Sequence, residues 1–173
     1  MQQFLRTFLD IVLWRRGPQD LPESTLLVWL TVVAYVATGA LQLAIFGGGS
    51  GALWFLYLVG DPLLLAAWVW LMLVLYRRAS RLRQTLAAVF GTGALLGLML
   101  YLPVQLLIAS SGLEESQTLV GFVALGLVVV FALVTGHIVK LATESSLVTG
   151  IASALCYFLV VNWVVDYVQG PGG

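Results

Sequence analysis

Apolar residues run through this chain in five long blocks, and polar residues collect in the gaps between them. The blocks fall at about 24–46, 52–76, 84–109, 117–139 and from Ser145 or Ser146 to about Tyr167. A helix of about 20 residues crosses the ~30 Å hydrocarbon core at 1.5 Å per residue, so each block is long enough to span. Ahead of them Phe4, Leu5, Phe8, Ile11, Val12 and Trp14 recur at helical spacing, with Arg6, Asp10 and Arg16 between. That pattern predicts an amphipathic helix lying in the membrane interface. A secretory signal puts its positive charge before the apolar stretch; here Arg15 and Arg16 follow it, so the helix is expected to be retained. The predicted fold is all-α: a polytopic membrane helix bundle of five transmembrane helices plus an N-terminal interfacial amphipathic helix. Residues 1–20 form that helix and a linker, 21–168 the bundle, and 169–173 a short outer tail.

Local signals mark the ends. Ser24 is a candidate N-cap for the first span, and Gly47-Gly48-Gly49-Ser50-Gly51 makes an outer turn. Gly60-Asp61-Pro62 interrupts the second block. Asp61 as N-cap with Pro62 in the first helical position is one possible start, but the helix left over would be short, which favours a kinked, nearly continuous span from Ala52. Pro103 lies near the outer end of the third span, an outer loop from Ser110 to Ser116 holds Glu114 and Glu115, and Lys140 closes the fourth span. Trp54, Tyr57, Trp163 and Tyr167 fall where an outer aromatic belt is expected.

Charge adds orientation. All eight Lys and Arg residues fall on one side of this layout: Arg6, Arg15 and Arg16 before the first span, Arg77, Arg78, Arg81 and Arg83 after the second, and Lys140 at the end of the fourth. Basic loops stay cytoplasmic, so the N-terminus is expected inside and the C-terminus outside, in a bacterial inner membrane. The basic inner face suits anionic lipid. Zero formal net charge gives no reason to expect a nucleic-acid partner. With 61% hydrophobic and 9% charged residues, the chain lies far from soluble composition.

Polar groups within the spans are the candidates for function. Thr31, Tyr35, Thr38 and Gln42 share one face of the first span, either as interhelical hydrogen bonders or as one wall of a polar pathway. Asp61, Gln105, Asn162 and Asp166 fall at similar estimated depth in the outer half. An ionisable group in the membrane is costly and raises a functional hypothesis; a helix cap at Asp61 and an interfacial position for Asp166 are the plainer alternatives. His137 lies at the inner end, one turn before Lys140, as an interfacial hydrogen bonder or a proton relay. Gly93 and Gly97 make a close-approach face on the third span, for another span or for a second protein. Ser146, Thr149 and Ser153 lie roughly opposite Asn162, which predicts a central place for the fifth span. One His and the lone Cys156 make a poor metal set, no nucleophile–base constellation or phosphate loop appears, and no cofactor or catalytic residue is expected.

Five spans after a leader, with Gly17-Pro18-Gln19-Asp20-Leu21-Pro22 ahead of the first, resemble the Yip-type membrane protein family. Its eukaryotic members carry an Asp-Leu-Tyr-Gly-Pro type motif in that place. Here the order differs and Tyr is missing, so the resemblance implies only a membrane-organising or partner-binding role. The function expected from the sequence is therefore a non-enzymatic accessory subunit or organiser, with a membrane-protein partner or a homo-oligomer. The alternative is a small transporter or channel subunit built on the outer polar groups.

Overall fold

The computed structural model describes residues 2–46, 51–111 and 117–169, and every regular element among them is helical. Helix α1 (Gln2–Val12) leads through a 3-10 turn at Pro18–Asp20 to α2 (Thr25–Phe46), the first span. The second span is α3 (Gly51–Phe55), a π-turn (Leu56–Gly60) and α4 (Asp61–Leu75). The third is α5 (Leu82–Leu96), a π-turn (Gly97–Tyr101) and α6 (Leu102–Ser111), and α7 (Gln117–Thr143) and α8 (Leu147–Gln169) complete the set. Five stretches are long and apolar enough to cross a bilayer, so the chain is a multi-pass integral membrane protein with an all-α bundle fold. The expected turn at 47–50, the loop with Glu114 and Glu115, and the tail after Gln169 lie outside the described residues.

Short polar side chains start the helices. Ser24 Oγ accepts from the Leu27 N–H (3.4 Å) at the head of α2, and Ser146 Oγ accepts from the Thr149 N–H (3.1 Å) at the head of α8. At the other ends, α1, α4 and α7 stop alike. Trp14 (φ 61°), Arg77 (φ 56°) and Glu144 (φ 56°) are left-handed, and the next N–H reaches back five residues. These closing bonds are Arg15 to the Asp10 carbonyl (2.8 Å), Arg78 to Leu73 (2.7 Å) and Ser145 to Lys140 (3.1 Å). Each is a Schellman stop with a side chain where glycine is usual. Helix α7 thus runs three residues past Lys140, its expected end, and leaves that ammonium in the last turn, where the helix dipole favours it. The connections that follow meet at one basic end, where Arg78 and Arg81 both pair with Glu144. Arg81 also donates to the Leu141 carbonyl at 3.2 Å.

The third span is the central one. Half of its apolar window is buried (50%), against 17–22% for the other four spans. This corrects the expectation for the fifth span, whose Ser146 and Thr149 hydroxyls satisfy each other at 2.9 Å and need no polar neighbour. Small residues put the third span in the middle: a Cβ on Gly93 would lie 2.8 Å from the Tyr35 ring, and one on Gly97 2.8 Å from Thr38 Cγ2. The close-approach face at Gly93 and Gly97 is therefore filled by α2 of the same chain. Helices α7 and α8 cross tightly in their turn, with a Gly136 Cβ position 2.8 Å from the Ile151 backbone nitrogen.

Helix α1, expected to lie in the interface, packs against the bundle. Ile11 is fully buried, and Phe8 packs its ring over Gly91 of α5, while Leu5, Leu9 and Leu13 stay exposed on the other flank. Behind it, Trp14 stacks on His137 at 5.0 Å. The leader is docked into the basic half of the bundle.

Candidate functional site

Both interrupted spans owe their π-turns to proline. Pro62 has no N–H for the carbonyl four residues back, and its ring crowds that carbonyl. The turn before it takes in an extra residue, with the Asp61 N–H bonding to the Leu56 carbonyl, five residues back. The same happens ahead of Pro103, where the Leu102 N–H bonds to Gly97. Asp61 (φ −61°, ψ −49°) and Gly60 (φ −65°, ψ −49°) are helical, so the second span is continuous and Asp61 is no N-cap. Its carboxylate is left free for other partners.

Those partners are two tyrosines from two other spans. Tyr35 of α2 donates its hydroxyl to Asp61 Oδ2 at 2.7 Å, and Tyr157 of α8 donates to Oδ1 at 2.6 Å. Each carboxylate oxygen thus receives one phenol. Tyr35 lies ten residues from the start of α2 and Tyr157 ten from the start of α8, about 15 Å from the basic end at 1.5 Å per residue. Against a hydrocarbon core ~30 Å thick, that is well inside the spans rather than at their basic ends. The phenols are themselves fixed: the Tyr35 ring meets Phe90 edge-on at 5.3 Å, and Trp68 lies 6.2 Å from the Tyr157 ring while its indole N–H donates to Ser153 Oγ at 3.0 Å.

This triad forms part of the wall of a cavity of about 680 Å³ that all five spans line. Its polar groups are Tyr35, Thr38 and Gln42 from α2, Tyr57 and Asp61 from the second span, Tyr101 and Gln105 from the third, Thr135 from α7 and Tyr157 from α8. The rest of the wall is apolar. Gln42 holds one edge by donating Nε2 to the Gly97 carbonyl at 3.1 Å, the carbonyl at the foot of the second π-turn.

The sequence candidates divide accordingly. Asp61, Gln105 and Gln42 come together at the cavity. Asn162 and Asp166 do not: both are exposed on α8, and Asn162 Nδ2 turns back to the Phe158 carbonyl at 2.8 Å. A shared face on one helix did not bring them to the face that Tyr157 presents. His137 sits at the basic end, away from the cavity, donating Nε2–H to the Arg16 carbonyl at 3.2 Å. Of the first-span stripe, Thr31 and Thr38 bond back to Val28 and Ala34 of their own helix, while Tyr35 and Gln42 reach other spans. Gly17-Pro18-Gln19-Asp20-Leu21-Pro22, the segment behind the family resemblance, is used internally. Asp20 accepts from the Gly17 N–H at 2.8 Å, and buried Leu21 takes a hydrogen bond from Gln84 at 2.9 Å on its carbonyl.

Tyr157 is the residue that sequence reasoning missed. It continues the row Ser146, Thr149, Ser153 by one more step of four, and that spacing was its available signal. Among the described residues no three His, Cys, Asp or Glu side chains gather to hold a metal ion. No family model, curated protein or solved structure matches this chain.

Proposed function

We propose that this protein takes a small molecule into the cavity between its spans and passes it across the membrane, as a small carrier or channel subunit. One observation carries this reading: a carboxylate well inside the spans, held by tyrosines of two other spans, on the wall of a cavity of about 680 Å³. An acid at that depth is costly, and a purely structural contact would be served as well by apolar packing. The volume lies within the ~300–1,000 Å³ of small-molecule pockets. With the basic connections on the cytoplasmic side of a bacterial inner membrane, both termini follow: N-terminus in, C-terminus out. The basic face would then rest on anionic lipid. An accessory role beside another membrane protein has less support, because the glycine face that suggested it is occupied by α2.

Flux tests the reading. Reconstituted protein should admit at least one of a panel of small ions and neutral solutes faster than empty liposomes do. Asp61→Asn should slow that flux, and so should Gly39→Phe, which adds bulk at a cavity-lining glycine whose Cβ position has only Leu58 within 4 Å, at 3.9 Å. Permeability equal to that of empty liposomes for every solute would sink it.

A further inference from the structure

We infer that the cavity accepts a lipophilic organic cation, an ammonium or phosphonium, with its charge seated at Asp61. The inference rests on the cavity-binding reading above and adds the class of ligand. The first ground is charge. Among the described residues Asp61 is the one charged residue on the cavity wall, and none of the eight Lys and Arg side chains lines it. In a surrounding of low dielectric an anion would meet an uncompensated carboxylate, whereas a cation would neutralise it. The second ground is hydrogen-bond capacity. A carboxylate has about four acceptor positions, and the two phenols fix its orientation without filling them.

The third ground is the wall itself. Tyr35, Tyr57, Tyr101 and Tyr157, with Phe131 and Phe158, line the same space as the carboxylate. Aromatic faces attract cations, most strongly where water is excluded, and they do so without stripping the ligand of a fixed hydration shell. A bare metal cation asks for something different, a compact shell of about six oxygens. Here the wall is mainly hydrocarbon and aromatic ring, and the volume is that of a molecule with several carbon groups. Charge from one acid, rings on several sides and room for hydrocarbon together specify an organic cation.

Tetraphenylphosphonium and tetraphenylborate have the same shape and opposite charge, so they separate the charge requirement from mere greasiness. Purified full-length protein in a maltoside detergent would be titrated with each by calorimetry. The phosphonium should bind at least about tenfold more tightly than the borate, a difference of about 1.4 kcal/mol. Asp61→Asn should remove most of that difference, and Asp61→Glu should restore it. Gly39→Phe should weaken both ions. Equal affinities that respond to Gly39→Phe but not to Asp61→Asn would overturn the cation and leave the cavity reading standing. No binding of either ion, or binding indifferent to Gly39→Phe, would overturn both. Displacement of the phosphonium by phosphatidylethanolamine but not by phosphatidylglycerol would assign the cation to a lipid headgroup. No displacement by either would assign it to a free solute, and the cation stands in both cases.

Discussion

The phenol of Tyr157 reaches across from the fifth span to Asp61 Oδ1 at 2.6 Å, and it also lies 3.3 Å from the Asp61 backbone carbonyl. One side chain thereby ties both the carboxylate and the backbone of the second span to α8. Hydrogen bonds to a charged group contribute about 1.5–3 kcal/mol, more than neutral ones. Tyr157→Phe should cost about that much in detergent unfolding. A double-mutant cycle with Asp61→Asn should give a coupling of at least about 1 kcal/mol. A coupling indistinguishable from zero would mean that the two groups are neighbours without being partners.

Glycines on different spans should respond with opposite sign. A side chain at Gly93 would strike the Tyr35 ring at 2.8 Å, so Gly93→Leu should push α2 away and destabilise by about 1–3 kcal/mol. Among the described residues, nothing outside its own helix backbone lies within 4 Å of the Cβ position of Gly121 in α7. There Gly121→Ala should be neutral or stabilise by up to about 1 kcal/mol through helix propensity alone. Thermal unfolding of the two variants side by side reads the contrast, and equal losses would contradict it.

The left-handed stops offer a second contrast. Arg77 holds φ 56° at the end of α4, a conformation that costs a side-chain-bearing residue about 1–2 kcal/mol and glycine almost nothing. Arg77→Gly should therefore raise the unfolding midpoint. Glu144 has the same φ but pairs with Arg78 and Arg81, so Glu144→Gly gains the same relief and loses both contacts. Its net gain should be smaller than that of Arg77→Gly. A larger gain at Glu144 would show that those partly exposed ion pairs contribute nothing.

Docking of α1 can be read by protease. Phe8 packs over Gly91, and the linker beyond it is pinned where His137 bonds the Arg16 carbonyl. Arg15 and Arg16 are already exposed, so cutting between them waits on local opening; Gly91→Leu should unseat Phe8 and free this segment to enter the active site of trypsin. A loss of about 1.4 kcal/mol of docking raises cleavage about tenfold when opening is fast relative to cutting. Cleavage at the wild-type rate would place α1 outside the bundle.

Helix ends were legible because they are set by local chemistry. Ser24 caps as expected, Ser146 is the one of two candidate serines that caps the fifth span, and the second span is continuous through Asp61, as the lengths on either side favoured. The membrane spans and the basic end were legible for the same reason, since run length and charge position need no tertiary information. Facing was not. In a soluble protein the apolar side of a helix points inward, but lipid rewards apolar residues on every side, and the periodicity that would orient a span is lost. Asn162 and Asp166 show the result: their shared face was correct, yet that face looks outward, and the partner of Asp61 lies at Tyr157 on the same helix. The docking of α1 was hidden for a related reason. Phe8 and Ile11 read as lipid-facing until Gly91 is seen to leave a seat for a ring.

Each π-turn also has a geometric consequence. One added residue in a helix advances everything beyond it by about 100° around the axis, because a full turn takes 3.6 residues. Tyr57 lies within the first π-turn, Tyr101 closes the second, and Gln105 lies beyond it. The phase of these groups is set by an insertion that their prolines impose rather than by an unbroken ladder. Were the third span wound as a plain α-helix, Gln105 would rotate away from the cavity while Gly93, on the basic side of the turn, kept its place against Tyr35. The two prolines therefore act as angular offsets, letting the same spans pack tightly by one face at their basic ends and turn a different face, set with polar and aromatic groups, toward the hollow above.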